Sequence, residues 1–136
     1  LASKRPLSPH VFEIDGKQFH YKMPVGAISS IANRGTGVAL SLGSAAVGWL
    51  ALTGDLSSTI TAFKAAYPLL VFPTKAAITF PLVYHYLAGL RHFYWDHYKF
   101  GNQADTHSPL EVPNVEASSK ALLIGSASLS AIVAML

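Results

Sequence analysis

The chain has 136 residues, of which 51% are hydrophobic and only 12% charged, and its mean hydropathy is +0.35; a water-soluble domain carries roughly twice that charge. It contains no cysteine, which excludes a disulfide framework, thiolate metal ligation and an iron–sulfur cluster held by this chain. The net charge of +3 is spread too thinly to form the basic stripe that a nucleic-acid groove requires.

Charges cluster at 4–22, 91–99 and 105–120, and long apolar runs lie between them. The pattern predicts an all-α integral membrane protein with three transmembrane helices and a polar N-terminal segment. Residues 1–22 form the segment. A three-helix anchor domain occupies 24–136, with helices over about 24–53, 65–92 and 117–136. The chain opens on Leu1, not methionine, as a processed or trimmed chain does.

The first segment holds Pro6, Pro9 and Gly16 among Lys4, Arg5, Glu13, Asp15 and Lys17, a composition suited to a surface-lying stretch and not to a helix. Phe12, Ile14, Phe19 and Tyr21 are candidates for an interfacial layer. From Gly35 to Gly54 run 20 residues without a formal charge. At about 1.5 Å per residue this run crosses a hydrocarbon layer of roughly 30 Å. Arg34 stands at one face and Asp55 at the other. Gly37, Ser41 and Ala45 recur every four residues, as do Ser44 and Gly48, a spacing that permits close helix approach in lipid. Ordinary alanine–glycine filler gives the same pattern.

Ala65 to Leu90 carries one charge, Lys75, whose stem can snorkel to the interface. Pro73 and Pro81 lie inside it, a placement that membrane helices tolerate. The third run, Ala121 to Leu136, is 16 residues long and reaches 20 when Ala117 to Lys120 are added. Between the second and third runs, 97–119 form a polar connection with Pro109 and Pro113, long enough to pack on a partner. Lys4, Arg5, Lys17, Lys22, Arg91 and Lys99 mark one side as basic, which puts the N-terminus in the bacterial cytoplasm or the mitochondrial matrix and the C-terminus opposite.

Two places carry polar groups at membrane depth. His85 lies six residues, roughly 9 Å along the axis, before Arg91. A polar ring there needs a partner. Three readings stand on spacing alone: a haem ligand through neutral imidazole, a member of a proton path, or a hydrogen bond to a neighbouring helix. Gly89 shares the His85 face and leaves room for a flat ligand or a close helix. Arg91 and His92 follow at the membrane edge, placed for propionates or for a partner's carboxylates; His92, Trp95, His97 and Tyr98 also suit plain interfacial anchoring. On the first helix, Ser30, Asn33 and Arg34 form a polar group suited to quinone carbonyls or haem propionates. The alternative for Arg34 is snorkelling to phospholipid phosphates. Nothing resembles a hydrolytic triad or a phosphate loop.

Three motifs resemble one family. Arg5-Pro6-Leu7-Ser8-Pro9-His10, then Ser30-Ile31-Ala32-Asn33-Arg34-Gly35-Thr36-Gly37, then His85-Tyr86-Leu87-Ala88-Gly89-Leu90-Arg91-His92 with Trp95-Asp96 resemble, in order, the motifs of the cytochrome b560 membrane anchor family of succinate dehydrogenase (complex II). The second corresponds to that family's Ser-x-x-His-Arg-x-Thr-Gly. The third corresponds to His-x-x-x-Gly-x-Arg-His followed by Trp-Asp. The likeness is strong over roughly 4–100 and rests on hydropathy beyond.

The resemblance implies a three-helix anchor that pairs with a second small anchor subunit and docks an iron–sulfur subunit and a flavoprotein subunit. Flavin and iron–sulfur chemistry would lie in those partners, leaving no catalytic residue in this chain. His85 matches the axial ligand of haem b, with the second axial histidine supplied by the sister anchor. Ser30 and Arg34 match residues of the ubiquinone pocket, with Asn33 beside them. Arg34 and His92 match positions near the haem propionates. The family has histidine where this chain has Asn33, which hydrogen-bonds but does not titrate. The implied location is the mitochondrial inner membrane, N-terminus toward the matrix, with a bacterial inner membrane as the alternative. A quinol:fumarate reductase anchor, another b-type cytochrome and a haem-free structural anchor are the competing functions.

Overall fold

A computed structural model describes residues 23–98 and 107–136. The expected surface segment at 1–22 and much of the connection after Tyr98 lie outside the described residues. Four helices follow in order: α1 (Val25–Thr53), α2 (Leu56–Ala66), α3 (Pro68–Tyr98) and α4 (Val112–Met135).

Local chemistry sets the boundaries. Pro24 precedes α1 in an extended conformation, and its carbonyl accepts from the Ala27 and Ile28 amides at 3.0 and 3.2 Å. Gly54 ends the helix. Asp55 then caps α2, its carboxylate accepting from the Ser57 and Ser58 amides at 2.9 and 3.1 Å. An aspartate cap stabilises a helix start by about 1 kcal/mol, and it turns what reads as a short loop into three helical turns. Pro68 ends α2, because a proline disfavours the helical conformation of the residue before it; Tyr67 accordingly has φ −132° and ψ 60°. The same proline opens α3, where its missing amide costs nothing. Pro73 and Pro81 continue inside α3. The last helix begins at Val112, five residues before the expected 117. Ser108 organises that start: its carbonyl accepts from the Glu111 amide and the Asn114 side chain, and its hydroxyl from the Leu110 amide.

Helices α1, α3 and α4 pack mutually, with the α3–α4 contact the most extensive, and α2 lies against α3 and α1. The interior is small and polar. Its buried side chains are Ser29, Thr36, Ser108, Ser119, Ser126 and Ser130 beside Tyr84, Ala88 and Ala134. The large apolar residues point outward: Leu69 is 91% exposed, Leu52 86% and Trp49 71%. A water-soluble fold does the reverse. In lipid the chain surroundings are as apolar as leucine, so helices associate through small residues and hydroxyls. Among the described residues α1 and α4 are long and apolar enough to cross a membrane. Only 6% of the most apolar window of α1 and 22% of that of α4 are buried, unlike the core helices of a soluble domain. The fold is all-α and membrane-associated.

Candidate functional site

Ser29, Asn33, Thr36 and Gly37 fall at i, i+4, i+7 and i+8 along α1 and therefore form one stripe. Tyr84, Ala88 and Arg91 form the facing stripe of α3, with His85 beside it. The Nδ1 atom of His85 stands 3.0 Å from the main-chain oxygen of Asn33 and 3.4 Å from the Thr36 hydroxyl. Thr36 is itself directed by bonds to the Ala32 and Asn33 carbonyls at 2.8 and 3.0 Å. A carbonyl oxygen only accepts, so the short contact requires a proton on Nδ1, and in the neutral ring Nε2 then keeps its lone pair.

Gly37 makes this approach feasible. A Cβ built on it would lie 2.9 Å from Cε1 of His85, closer than atoms pack. Gly89 has a different role: a Cβ there would meet no described atom within 4 Å. Among the described residues, none from another helix comes within 4 Å of that position, one turn along from His85. The small residues of the second half of α1 are likewise exposed, from Ser41 through Trp49. Beyond Gly37, an open apolar cleft of about 520 Å³ separates α1 from α3, lined by Ala39, Gly43, Gly48, Ala77 and Pro81 among others. The close approach that the small-residue spacing suggests is thus realised with α3 at Gly37 and with α4 at Gly26, where a Cβ would lie 3.3 Å from Val115.

A second cluster sits at the same end. One Arg91 nitrogen donates to Ser29 at 2.9 Å, and the other to Ser118 and Ser119 at 3.2 and 3.0 Å. Ser29 also meets the Tyr84 hydroxyl at 2.8 Å, and Tyr84 donates to the Ser29 carbonyl at 3.0 Å. Trp95 packs its ring 4.6 Å from the guanidinium carbon. These contacts bring the start of α1, the end of α3 and the start of α4 together, so α3 runs antiparallel to the other two.

The expected site residues divide into three groups. Ser30 and Arg34 pair with each other through a 3.4 Å contact at the surface, rotated about 100° around α1 from the stripe facing α3. Asn33 meets His85 through its backbone, while its buried side-chain oxygen has no partner among the described residues. His92 is exposed and packs edge-on against Trp95 at 5.4 Å. Arg91, expected to face propionates or a partner's carboxylates, instead binds serines of two helices. Sequence reasoning did not single out Ser29, Tyr84, Ser118 or Ser119. The seven-residue spacing of Tyr84 and Arg91 was the available signal.

Among the described residues no three His, Cys, Asp or Glu side chains converge on a common point. A lone imidazole with a fixed tautomer suffices, however, for an iron already held by a macrocycle. The hydrogen-bonded Nδ1, the bare Nε2 and the open space at Gly89 fit such a group.

Residues 2–133 match the family described as succinate dehydrogenase/fumarate reductase transmembrane subunit. The chain is 35% identical over 130 residues to the mitochondrial succinate dehydrogenase cytochrome b560 subunit of Dictyostelium discoideum, covering 94% of this chain and 60% of that protein. It is 39% identical over 100 residues to the pig (Sus scrofa) protein of the same name, covering 71% and 55%. With the succinate dehydrogenase cytochrome b556 subunit of Paracoccus denitrificans it shares 33% over 124 residues, covering 90% and 83%. The chain thus spans rather more than half the length of the mitochondrial relatives.

Proposed function

This chain belongs to the succinate dehydrogenase/fumarate reductase transmembrane subunit family, and from that premise we propose that it anchors a succinate:ubiquinone oxidoreductase in the mitochondrial inner membrane. In this reading α1, α3 and α4 are the three crossings, with 1–22 on the matrix side. Lys75 and Arg91 stand near opposite ends of α3, where a charged side chain reaches the interface or a polar partner. The partners are a small sister anchor, an iron–sulfur subunit and a flavoprotein subunit. Together they would link succinate oxidation in the tricarboxylic acid cycle to electron transport.

His85 would hold the iron of haem b through Nε2. Its Nδ1–H bond to the Asn33 carbonyl orients the ring and raises the basicity of the ligating nitrogen. A haem held there would supply one-electron redox chemistry. No other histidine lies on α1, position 33 being asparagine, so a second protein ligand to the iron would have to be supplied by the sister anchor. His92, exposed two turns beyond His85, would meet a propionate.

Ser30 and Arg34 would form this chain's share of the quinone pocket. Both present polar hydrogens on a flank of α1 that faces away from α3 among the described residues. As the quinone takes up electrons delivered from the iron–sulfur subunit, negative charge grows on its carbonyl oxygen. A guanidinium and a hydroxyl aimed there stabilise that charge. Asn33, on the stripe facing α3 with its side-chain oxygen buried, has no titratable proton to give, so protons would reach the quinone from partner groups or water.

The observation that carries the reading is the His85 ring, seated on Gly37 with Nδ1 bonded and Nε2 free. The test is the reduced-minus-oxidised visible spectrum of the purified complex. The b-type bands should be present, and His85→Ala should remove or strongly alter them. Unchanged bands in that variant would leave a structural anchor, or a haem bound elsewhere, as the better account.

A further inference from the structure

We propose that Arg91, Ser29 and Tyr84 form a register lock that positions the His85 imidazole. This deepens the reading of His85 as a haem ligand and rests on it.

The lock spans the same two stripes as the His85 contact. Tyr84 immediately precedes His85, and Ser29 lies one turn before Asn33. Tyr84 bonds both the hydroxyl and the carbonyl of Ser29, and Arg91 bonds the same hydroxyl from two turns further along α3. Two points on α3 are thereby tied to one point on α1. That arrangement resists both sliding and rotation of α3. A slide by one residue displaces a helix by about 1.5 Å, and a rotation by one residue turns it by about 100°. Either movement would break the 3.0 Å contact of Nδ1 with the Asn33 oxygen.

The chemistry of Arg91 supports a positioning role. Its named hydrogen-bond partners are neutral serine hydroxyls on two other helices, and its buried Nε has no partner among the described residues. A half-buried cation held this way is costly. Lysine would offer a single, more strongly hydrated point charge, and glutamine no charge. What neither supplies is a rigid fork that reaches α1 with one nitrogen and α4 with the other. Trp95 adds a cation–π contact to that fork, its ring centre 4.6 Å from the guanidinium carbon.

The test uses the intact complex in native membranes, with Tyr84→Phe, Arg91→Lys and Arg91→Gln, and with His85→Ala as control. Tyr84→Phe deletes one oxygen without changing charge, so it isolates the lock from electrostatics. Three quantities are read: haem per flavin, the electron paramagnetic resonance signal of the oxidised haem, and its midpoint potential. The expected result is haem retained in Tyr84→Phe and Arg91→Lys, with a displaced resonance signal and a shifted potential in both. Arg91→Gln should show the larger displacement or lose haem. Should the complexes that assemble from Tyr84→Phe and Arg91→Lys carry the wild-type signal and potential, the lock is merely structural and the proposal fails. Should His85→Ala keep its haem, the underlying ligand assignment fails as well, and the two failures are distinguishable.

Discussion

Gly37→Ala should separate the stability of the helices from the geometry of the haem ligand. In a helix interior alanine is favoured over glycine by about 1 kcal/mol. Against this, the new methyl would sit 2.9 Å from Cε1 of His85, whereas carbon atoms pack at about 3.5 Å or more. The ring must therefore retreat from α1 by about 0.6 Å. The Asn33 carbonyl lies on α1 too, so the same retreat stretches the 3.0 Å contact of Nδ1 to about 3.6 Å, which no longer qualifies as a hydrogen bond. Loss of a neutral hydrogen bond costs about 1 kcal/mol, close to what the alanine contributes. The assembled complex should thus melt near the wild-type temperature. Loss of the second partner of a ligating histidine lowers metal affinity by about 10- to 100-fold. The assay is haem per flavin after purification, with the reduced spectrum, beside a thermal melt. Full haem occupancy with an unaltered spectrum would show that the ring does not depend on Gly37, and the geometric argument would be wrong.

Other outcomes follow from the same structure. Arg34→Ala should slow quinone reduction by about 10²-fold, the cost of losing one donor to a developing oxyanion, while succinate oxidation by a soluble dye is spared; equal loss in both assays would point to a failure of assembly. Asp55→Ala should remove the cap of α2 and destabilise that helix by about 1 kcal/mol. Hydrogen exchange should then rise in the Ser57–Thr61 amides and not in α1 or α3.

Several features of the fold were legible in the residues because they depend on neighbours in sequence. Uncharged length between Arg34 and Asp55, bounded by Pro24 and Gly54, marks the apolar part of α1. Pro68 stands at the start of its helix, where a missing amide is harmless, whereas Pro113, expected in the polar connection, lies in the first turn of α4. Short α2 falls in the gap between the expected helices at 24–53 and 65–92, and the Asp55 cap makes that gap helical. The early start of α4 was hidden by Glu111 and Glu116, which count against a membrane span but not against a helix that begins in the interface.

His85, with its Gly89 and Arg91-His92 neighbours, stands out in the sequence as a polar ring where polar rings are costly, and the motif around it is local. Its chemical state is not local. The tautomer depends on a carbonyl 52 residues away, and the room for the ring depends on Gly37, which in sequence looks like one more small residue of α1. Arg91 shows the same division more sharply. Its position near the end of a long helix suggests an interfacial cation reaching for lipid or a partner. Packing gives it serines 62, 28 and 27 residues away on two other helices. The sequence by itself determined that this chain is all-α and membrane-associated and that His85 stands in a family motif, because hydropathy and motif spacing are properties of a chain read along its length. Only the tertiary structure decided which nitrogen of that histidine is free and which cation holds the helices in register, because hydrogen bonds are made across a helix seam and not along it.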